Sequence, residues 1–223
     1  MIYPDLSLEQ NLWDGGFESI AGFDEAGRGA LAGPVTVAAV ILPRQPSLLS
    51  STLSGVRDSN LMSAGQRLRW ADSIREAARA WSLGWASAEE IDALGIAAST
   101  RLAAERALAD LSLAPDFLLT DFHLKPDTEI PFASLVKGDQ KSLSIACASV
   151  LAKTARDELM RELDEQYRGY GLAKHKGYGT ASHRMAIERL GHSPIHRKTF
   201  ALKNPEGNVL TVRSSLTASK QME

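Results

Sequence analysis

The chain has 223 residues, of which 44% are hydrophobic and 23% charged, with a formal net charge of −2 at pH 7; this is typical of a globular protein with one sizeable core. Its single cysteine, Cys147, excludes an internal disulfide and a cysteine-based zinc site. Because no apolar run is long enough to cross a bilayer and the first residues lack the pattern of a secretory signal, we expect a cytoplasmic protein with no membrane partner.

The first predicted elements are two strands and a helix. Segments 20–23 and 35–42 are apolar, and the second is rich in valine and isoleucine, which predicts an opening β-hairpin. The serines and prolines of 43–55 predict a loop. Ser63, followed three residues later by Gln66, has the sequence of a capping box at the start of a helix.

The remaining elements continue this alternation of strands and helices. They are a strand over 81–86, a short helix capped by Ser87 and Glu90, a helix over 95–111, a strand over 116–120, a long helix over 143–167, a glycine-rich basic loop over 170–180 and a helix over 181–190. This order predicts an α/β domain with a mixed central sheet flanked by helices. We expect the domain to span 20–203, with an N-terminal extension over 1–19 and a flexible tail over 204–223.

Basic residues are concentrated near the end of this domain. Segment 168–203 holds eight lysines or arginines against one acid, Glu188, although the whole chain is slightly acidic. Because these charges are interleaved with glycine, tyrosine and proline, the segment is either a phosphate-facing surface or a solvated face. Lys176, Arg184 and Lys198 are the candidate phosphate contacts within it.

Acidic residues end two of the predicted strands. Asp24 and Glu25 follow the first strand, and Asp121 follows the strand over 116–120. Ligands of open α/β sheets gather beyond strand ends, so we expect these carboxylates to share one site. Asp157, on the long helix, is a fourth candidate, with a surface ion pair beside Arg156 as the alternative. Four such carboxylates could hold two hard divalent ions, an arrangement suited to displacement at phosphorus.

A turn with two glycines follows the first acidic pair. Gly27 and Gly29 allow a backbone to approach a ligand closely, and Arg28 between them offers a fixed fork of donors to a phosphate. His192 and His196 have the spacing of helical zinc ligands, but the intervening Pro194 argues against a helix there.

These residues belong to a series of motifs that resembles bacterial type 2 ribonuclease H (ribonuclease HII). In chain order the matching segments are GFDEAGRG (22–29), GPV (33–35), DS (58–59), ASAEEID (86–92), VKGD (136–139), SLSIA (142–146), AKT and RD (152–154 and 156–157), KHKGYGT (174–180) and SPIHR (193–197). Many separate motifs in one order are far more specific than a lone Asp-Glu pair.

The resemblance implies an RNase H-like fold and a metal-dependent endonuclease that acts on RNA in RNA–DNA hybrids. It also implies nicking on the 5′ side of single ribonucleotides embedded in duplex DNA, leaving 3′-hydroxyl and 5′-phosphate ends. By motif, the catalytic and metal-binding carboxylates would be Asp24, Glu25, Asp121 and Asp157, with two Mn²⁺ or Mg²⁺ ions during catalysis. We expect the protein to be a monomer.

The resemblance also implies how the substrate is read. Gly27, Arg28 and Gly29 would contact the 2′-hydroxyl of the ribonucleotide, which distinguishes RNA from DNA. Tyr178 would stack on the sugar of the following deoxynucleotide. A junction between the two kinds of sugar would therefore satisfy both contacts.

The sequence departs from the family pattern in two places. Asn60 stands where the family usually has lysine, and Phe122 followed by His123 stands where it usually has glycine. These departures leave a catalytically silent hybrid-binding module as an alternative, although four repelling carboxylates facing a polyanion argue against it. A second alternative is type 3 ribonuclease H, which carries a long N-terminal substrate-binding domain.

Overall fold

A computed structural model describes residues 3–122 and 124–201 and is built around one five-stranded sheet. The strands are β1 (Ile20–Ala26), β2 (Val35–Ile41), β3 (Ala80–Ala86), β4 (Phe117–Asp121) and β5 (Phe132–Leu135), in the spatial order β3-β2-β1-β4-β5. The β1–β2 and β2–β3 pairs are antiparallel, whereas β1–β4 and β4–β5 are parallel. The predicted opening hairpin and mixed sheet are therefore confirmed.

Eight α-helices surround the sheet within the described residues. They are α1 (Ser7–Asp14), α2 (Pro46–Thr52), α3 (Ala64–Ala77), α4 (Ala88–Leu94), α5 (Ile96–Asp110), α6 (Leu143–Gln166), α7 (Leu172–His175) and α8 (Ala181–Leu190). The predicted loop over 43–55 is wrong, because a proline in the first turn starts α2 there. The basic loop over 170–180 likewise contains the short α7. Among these helices, none is long and apolar enough to cross a membrane.

The sheet is packed between α6 on one face and α5 on the other. The α6 layer includes Val40, Cys147 and Ala148, and the α5 layer includes Phe23 and Ala103. Glycines bring the layers close together. A Cβ on Gly22 of β1 would overlap the backbone at the start of α6. This close approach fixes β1, and the acidic pair near its end, against the long helix.

Residues before the predicted domain boundary pack into the same core. Trp13 of α1 is buried in the α6 layer. The buried Glu9 carboxylate accepts hydrogen bonds from the Ser142 hydroxyl at 2.6 Å and from the Ser144 backbone N–H at 2.9 Å. Helix α1 thus caps the N-terminus of α6, where a negative charge is favourable. The predicted tail over 204–223 lies outside the described residues.

The C-terminal helical region packs on the far part of α6. Met160 of α6, Leu172 of α7 and Ile187 of α8 form a separate buried cluster with Ala32. This arrangement places the basic segment beside the glycine-rich turn that follows β1.

Candidate active site

Three carboxylates from two strands meet at one edge of the sheet. Asp24, Glu25 and Asp121 each offer an oxygen atom, and these atoms all lie within 4.8 Å of one another. They converge because β1 and β4 are parallel neighbours, so that both strands end at the same edge. The predicted convergence of the two acidic strand ends is observed in the structure.

Burial and mutual repulsion change the acidity of this group. Burial, together with the charge of Glu25, raises the pKa of Asp24 well above its usual range. Burial and the charge of Asp121 raise the pKa of Glu25 to about 7. Because each carboxylate disfavours ionisation of its neighbours, a bound cation would stabilise the ionised cluster.

A cavity of about 430 Å³ opens above the cluster and contains two further acids, Asp58 and Asp139. Asp139 lies in a single 3₁₀ turn (Gly138–Gln140) soon after β5, and the Gly138 backbone N–H donates to Asp121 at 2.9 Å. Burial and Asp58 raise the pKa of Asp139 to about 7. Sequence reasoning missed Asp139 as a site residue. Asp139 comes soon after a third parallel strand, and this position could have identified it as a site residue. Strand β5 was not predicted, however.

Asp157 does not belong to the group of three. Its carboxylate is held in two buried ion pairs, with Arg67 at 2.8 Å and with Lys153 at 2.7 Å. The alternative was a surface ion pair beside Arg156. The aspartate is ion-paired, but it is buried and its partners are Arg67 and Lys153. Lys153 itself lines the cavity, so Asp157 positions a cation beside the acidic cluster.

The glycine-rich turn after β1 is held by a buried arginine from the C-terminal region. The Arg197 guanidinium donates to the backbone carbonyls of Gly27 and Arg28, each at 2.8 Å. Gly27 has a φ of +86° and Gly29 is exposed. The Nη1 atom of Arg28 is buried and has no hydrogen-bond partner among the described residues. The Arg197 contacts therefore hold the turn against the C-terminal region.

Tyr178, which belongs to the basic segment 168–203, also lines the acidic cavity. Its ring lies 5.2 Å from the Lys153 ammonium and 5.5 Å from the Arg156 guanidinium carbon. The buried Arg156 side chain also donates to the carbonyls of Ala32 and Lys176, at 3.0 and 2.9 Å. These contacts fix the tyrosine loop relative to the glycine-rich turn.

The three candidate phosphate contacts lie in different settings. The Lys176 ammonium donates to the Ala173 carbonyl within its own loop. Arg184 is half-buried on α8, and its Nε atom has no partner among the described residues. Lys198 is exposed, and its backbone N–H is anchored by Asp92 at 2.9 Å. In the described part of the chain, none of the three lines the acidic cavity.

The two departures from the family pattern both lie at the cavity. Asn60 and Phe122 line it, and Phe122 directly follows Asp121. Asp121 still reaches the acidic group, so Phe122 does not displace it. His123, a candidate for proton transfer or phosphate binding, lies outside the described residues.

The donor set fits a hard divalent cation. All three clustered ligands are carboxylates, the type that Mg²⁺ and Mn²⁺ prefer. The Oε2 atom of Glu25 is buried without a hydrogen-bond partner among the described residues. A buried acceptor of this kind is costly unless a proton or a cation satisfies it.

Comparisons with known proteins identify the fold. The crystal structure of the ribonuclease H2 from Pyrococcus horikoshii OT3 matches with a TM-score of 0.65 at 23% identity, over 82% of this chain and 93% of that one. Bst-RNase HIII in complex with Mn²⁺ matches with a TM-score of 0.63 at 19% identity, over 83% of this chain and 68% of that one. The chain therefore has the RNase H-like fold that was expected.

Sequence comparison identifies one family among the proteins with the RNase H-like fold. A family model described as Ribonuclease HII matches residues 21–203. The Ribonuclease HII of Synechococcus sp. (strain JA-3-3Ab) is 49% identical over 201 residues, which cover 90% of each chain. The chain belongs to the ribonuclease HII family and is an RNase H endoribonuclease, which confirms the resemblance inferred from the motifs.

Proposed function

We propose that this protein nicks duplex DNA on the 5′ side of a single embedded ribonucleotide, leaving a 3′-hydroxyl and a 5′-phosphate, and also cleaves the RNA strand of RNA–DNA hybrids. The observation that supports this best is the convergence of Asp24, Glu25 and Asp121 within 4.8 Å. A module that only binds a polyanion would gain nothing from such a cluster.

Divalent metal ions would be held by these three carboxylates together with Asp139. We place Asp139 in the set because it shares the cavity and because Asp121 contributes to its raised pKa. Asp157 instead holds Lys153 beside the cavity. When bound, two Mn²⁺ or Mg²⁺ ions would supply an activated water and stabilise the leaving oxygen.

The residues around the cluster would bind and orient the substrate. The turn formed by Gly27, Arg28 and Gly29 would contact the 2′-hydroxyl. The space beside Gly29 is open to a ligand, whereas the Arg156 side chain fills the space beside Gly27. Tyr178 would pack on the neighbouring deoxyribose. Because Arg197 and Arg156 fix these two elements relative to each other, the pair would recognise a junction between ribose and deoxyribose.

The test uses a duplex with one ribonucleotide, Mn²⁺, and three matched variants. Wild type should give a single nick 5′ of the ribonucleotide, and Asp24→Asn should lose at least a hundredfold in rate. Asp139→Asn should lose as much, whereas Asp157→Asn, which removes the partner of Lys153 and Arg67 and no metal ligand, should lose less. If wild type binds this duplex but never nicks it, the proposed function is wrong. If Asp157→Asn is inactive while Asp139→Asn is active, the proposed ligand set is wrong.

A further inference from the structure

The rim of the acidic cavity is apolar on the side of β4 and β5. Phe122 is 48% exposed and Val136 is 56% exposed, and both line the cavity. Asp121 and Leu135 form the last pair between the parallel strands β4 and β5. Phe122 and Val136 are the residues that come next after this pair. Adjacent strands lie about 4.8 Å apart, which makes Phe122 and Val136 neighbours on one continuous edge.

Cations flank this apolar pair. The Lys125 ammonium lies 5.9 Å from the centre of the Phe122 ring. Lys137 directly follows Val136, is exposed, lines the cavity and has a φ of +54°, a left-handed backbone conformation. An apolar surface with lysines beside it complements a sugar–phosphate backbone, in which apolar sugar faces alternate with negative phosphates.

We propose that Phe122 and Val136, with Lys125 and Lys137, form a second substrate contact that packs on a sugar of the bound duplex and pairs with its flanking phosphates. This inference rests on the proposed function, because it takes the occupant of the adjacent cavity to be a nucleic-acid backbone. The contact lies at the end of β4, directly beside Asp121, whereas Tyr178 reaches the cavity from the C-terminal region.

Loss of the apolar part and loss of the charged part of this contact should change the salt dependence of substrate affinity differently. Loss of the Phe122 ring removes an interaction that does not depend on counterions, so affinity should fall at every salt concentration. Loss of a phosphate contact lowers the slope of log affinity against log salt by about one. By analogy with an aromatic ring stacked on a base, we expect a ring packed on a sugar to contribute about tenfold in affinity.

The experiment measures steady-state nicking of a duplex with one ribonucleotide across a salt series. Phe122→Ala should raise KM about tenfold with little change in kcat and an unchanged salt slope, and Phe122→Trp should restore KM. Lys125→Gln should lower the salt slope by about one. Lys137→Asn, which tolerates the left-handed conformation, should do the same. Phe132→Ala is the matched control, because Phe132 is an aromatic residue of β5, 41% exposed, that does not line the cavity.

The results separate this inference from the proposed function. If wild type nicks and Phe122→Ala has the KM of wild type, the second contact does not exist and the proposed function stands. An equal rise in KM for Phe122→Ala and Phe132→Ala also overturns the inference, since the effect would not be local. If wild type does not nick the duplex, the proposed function and this inference are both refuted.

Discussion

The metal-free protein should become less stable as Glu25 ionises. Burial and Asp121 raise the pKa of this side chain from 4.5 to about 7 in the folded state. When folding raises the pKa of a carboxyl group, the group's contribution to stability is complete at a pH below its pKa in the unfolded state. That contribution is lost as the pH rises through its pKa in the folded state. The rise corresponds to about 3 kcal/mol in total, most of which falls between pH 5 and pH 8.

Urea unfolding in EDTA measures this effect. Because other groups also titrate, the informative quantity is the difference in unfolding free energy between wild type and Glu25→Gln. This difference should shift by about 2 kcal/mol in favour of the variant from pH 5 to pH 8. Saturating Mn²⁺ at pH 8 should reverse it, because wild type regains stability by binding the ion. Parallel pH profiles for the two proteins in EDTA would refute the electrostatic account of the cluster.

Three further predictions concern stability and are tested by urea unfolding. Gly22→Ala should lower the unfolding free energy by more than about 3 kcal/mol, because its Cβ would overlap the α6 backbone. Gly29→Ala is the control and should be as stable as wild type, because nothing lies within 4 Å of its Cβ position. Equal stability of the two variants would contradict the packing of β1 against α6. Burial lowers the pKa of His183 to about 4 and of His196 to about 3. The stability that these neutral histidines contribute above pH 6.5 should therefore be lost as the pH falls towards those values. An unfolding free energy that stays constant over this pH range would contradict this prediction. Glu9→Ala should cost about 3 kcal/mol by removing the buried acceptor at the start of α6, and a loss below about 1 kcal/mol would show that α1 does not hold that helix.

Local signals in the sequence predicted five of the eight helices in the described residues, and two of the three strand ends. Ser63 with Gln66, and Ser87 with Glu90, form the capping boxes that were expected, because such caps depend only on residues three apart. The acidic cluster was predictable for a related reason. Asp24 and Asp121 each follow a buried apolar strand, and parallel strands end at one edge.

The missed features depend on contacts between distant parts of the chain. β5 has only four residues, one exposed and three half-buried, which is too short a segment to show a clear strand pattern, and Asp139 was not recognised as a strand-end acid. Asp157 lies on a correctly predicted helix. Its partner Arg67 is 90 residues away, however, and only the folded structure shows that this ion pair occupies the carboxylate.

Calorimetric titration of Mn²⁺ into the metal-free protein tests the central claim most directly. Wild type should bind the ion, Asp24→Asn should bind it at least tenfold more weakly, and Asp157→Asn should bind it like wild type. Equal binding by wild type and Asp24→Asn would show that the carboxylates at the ends of β1 and β4 do not form the metal centre.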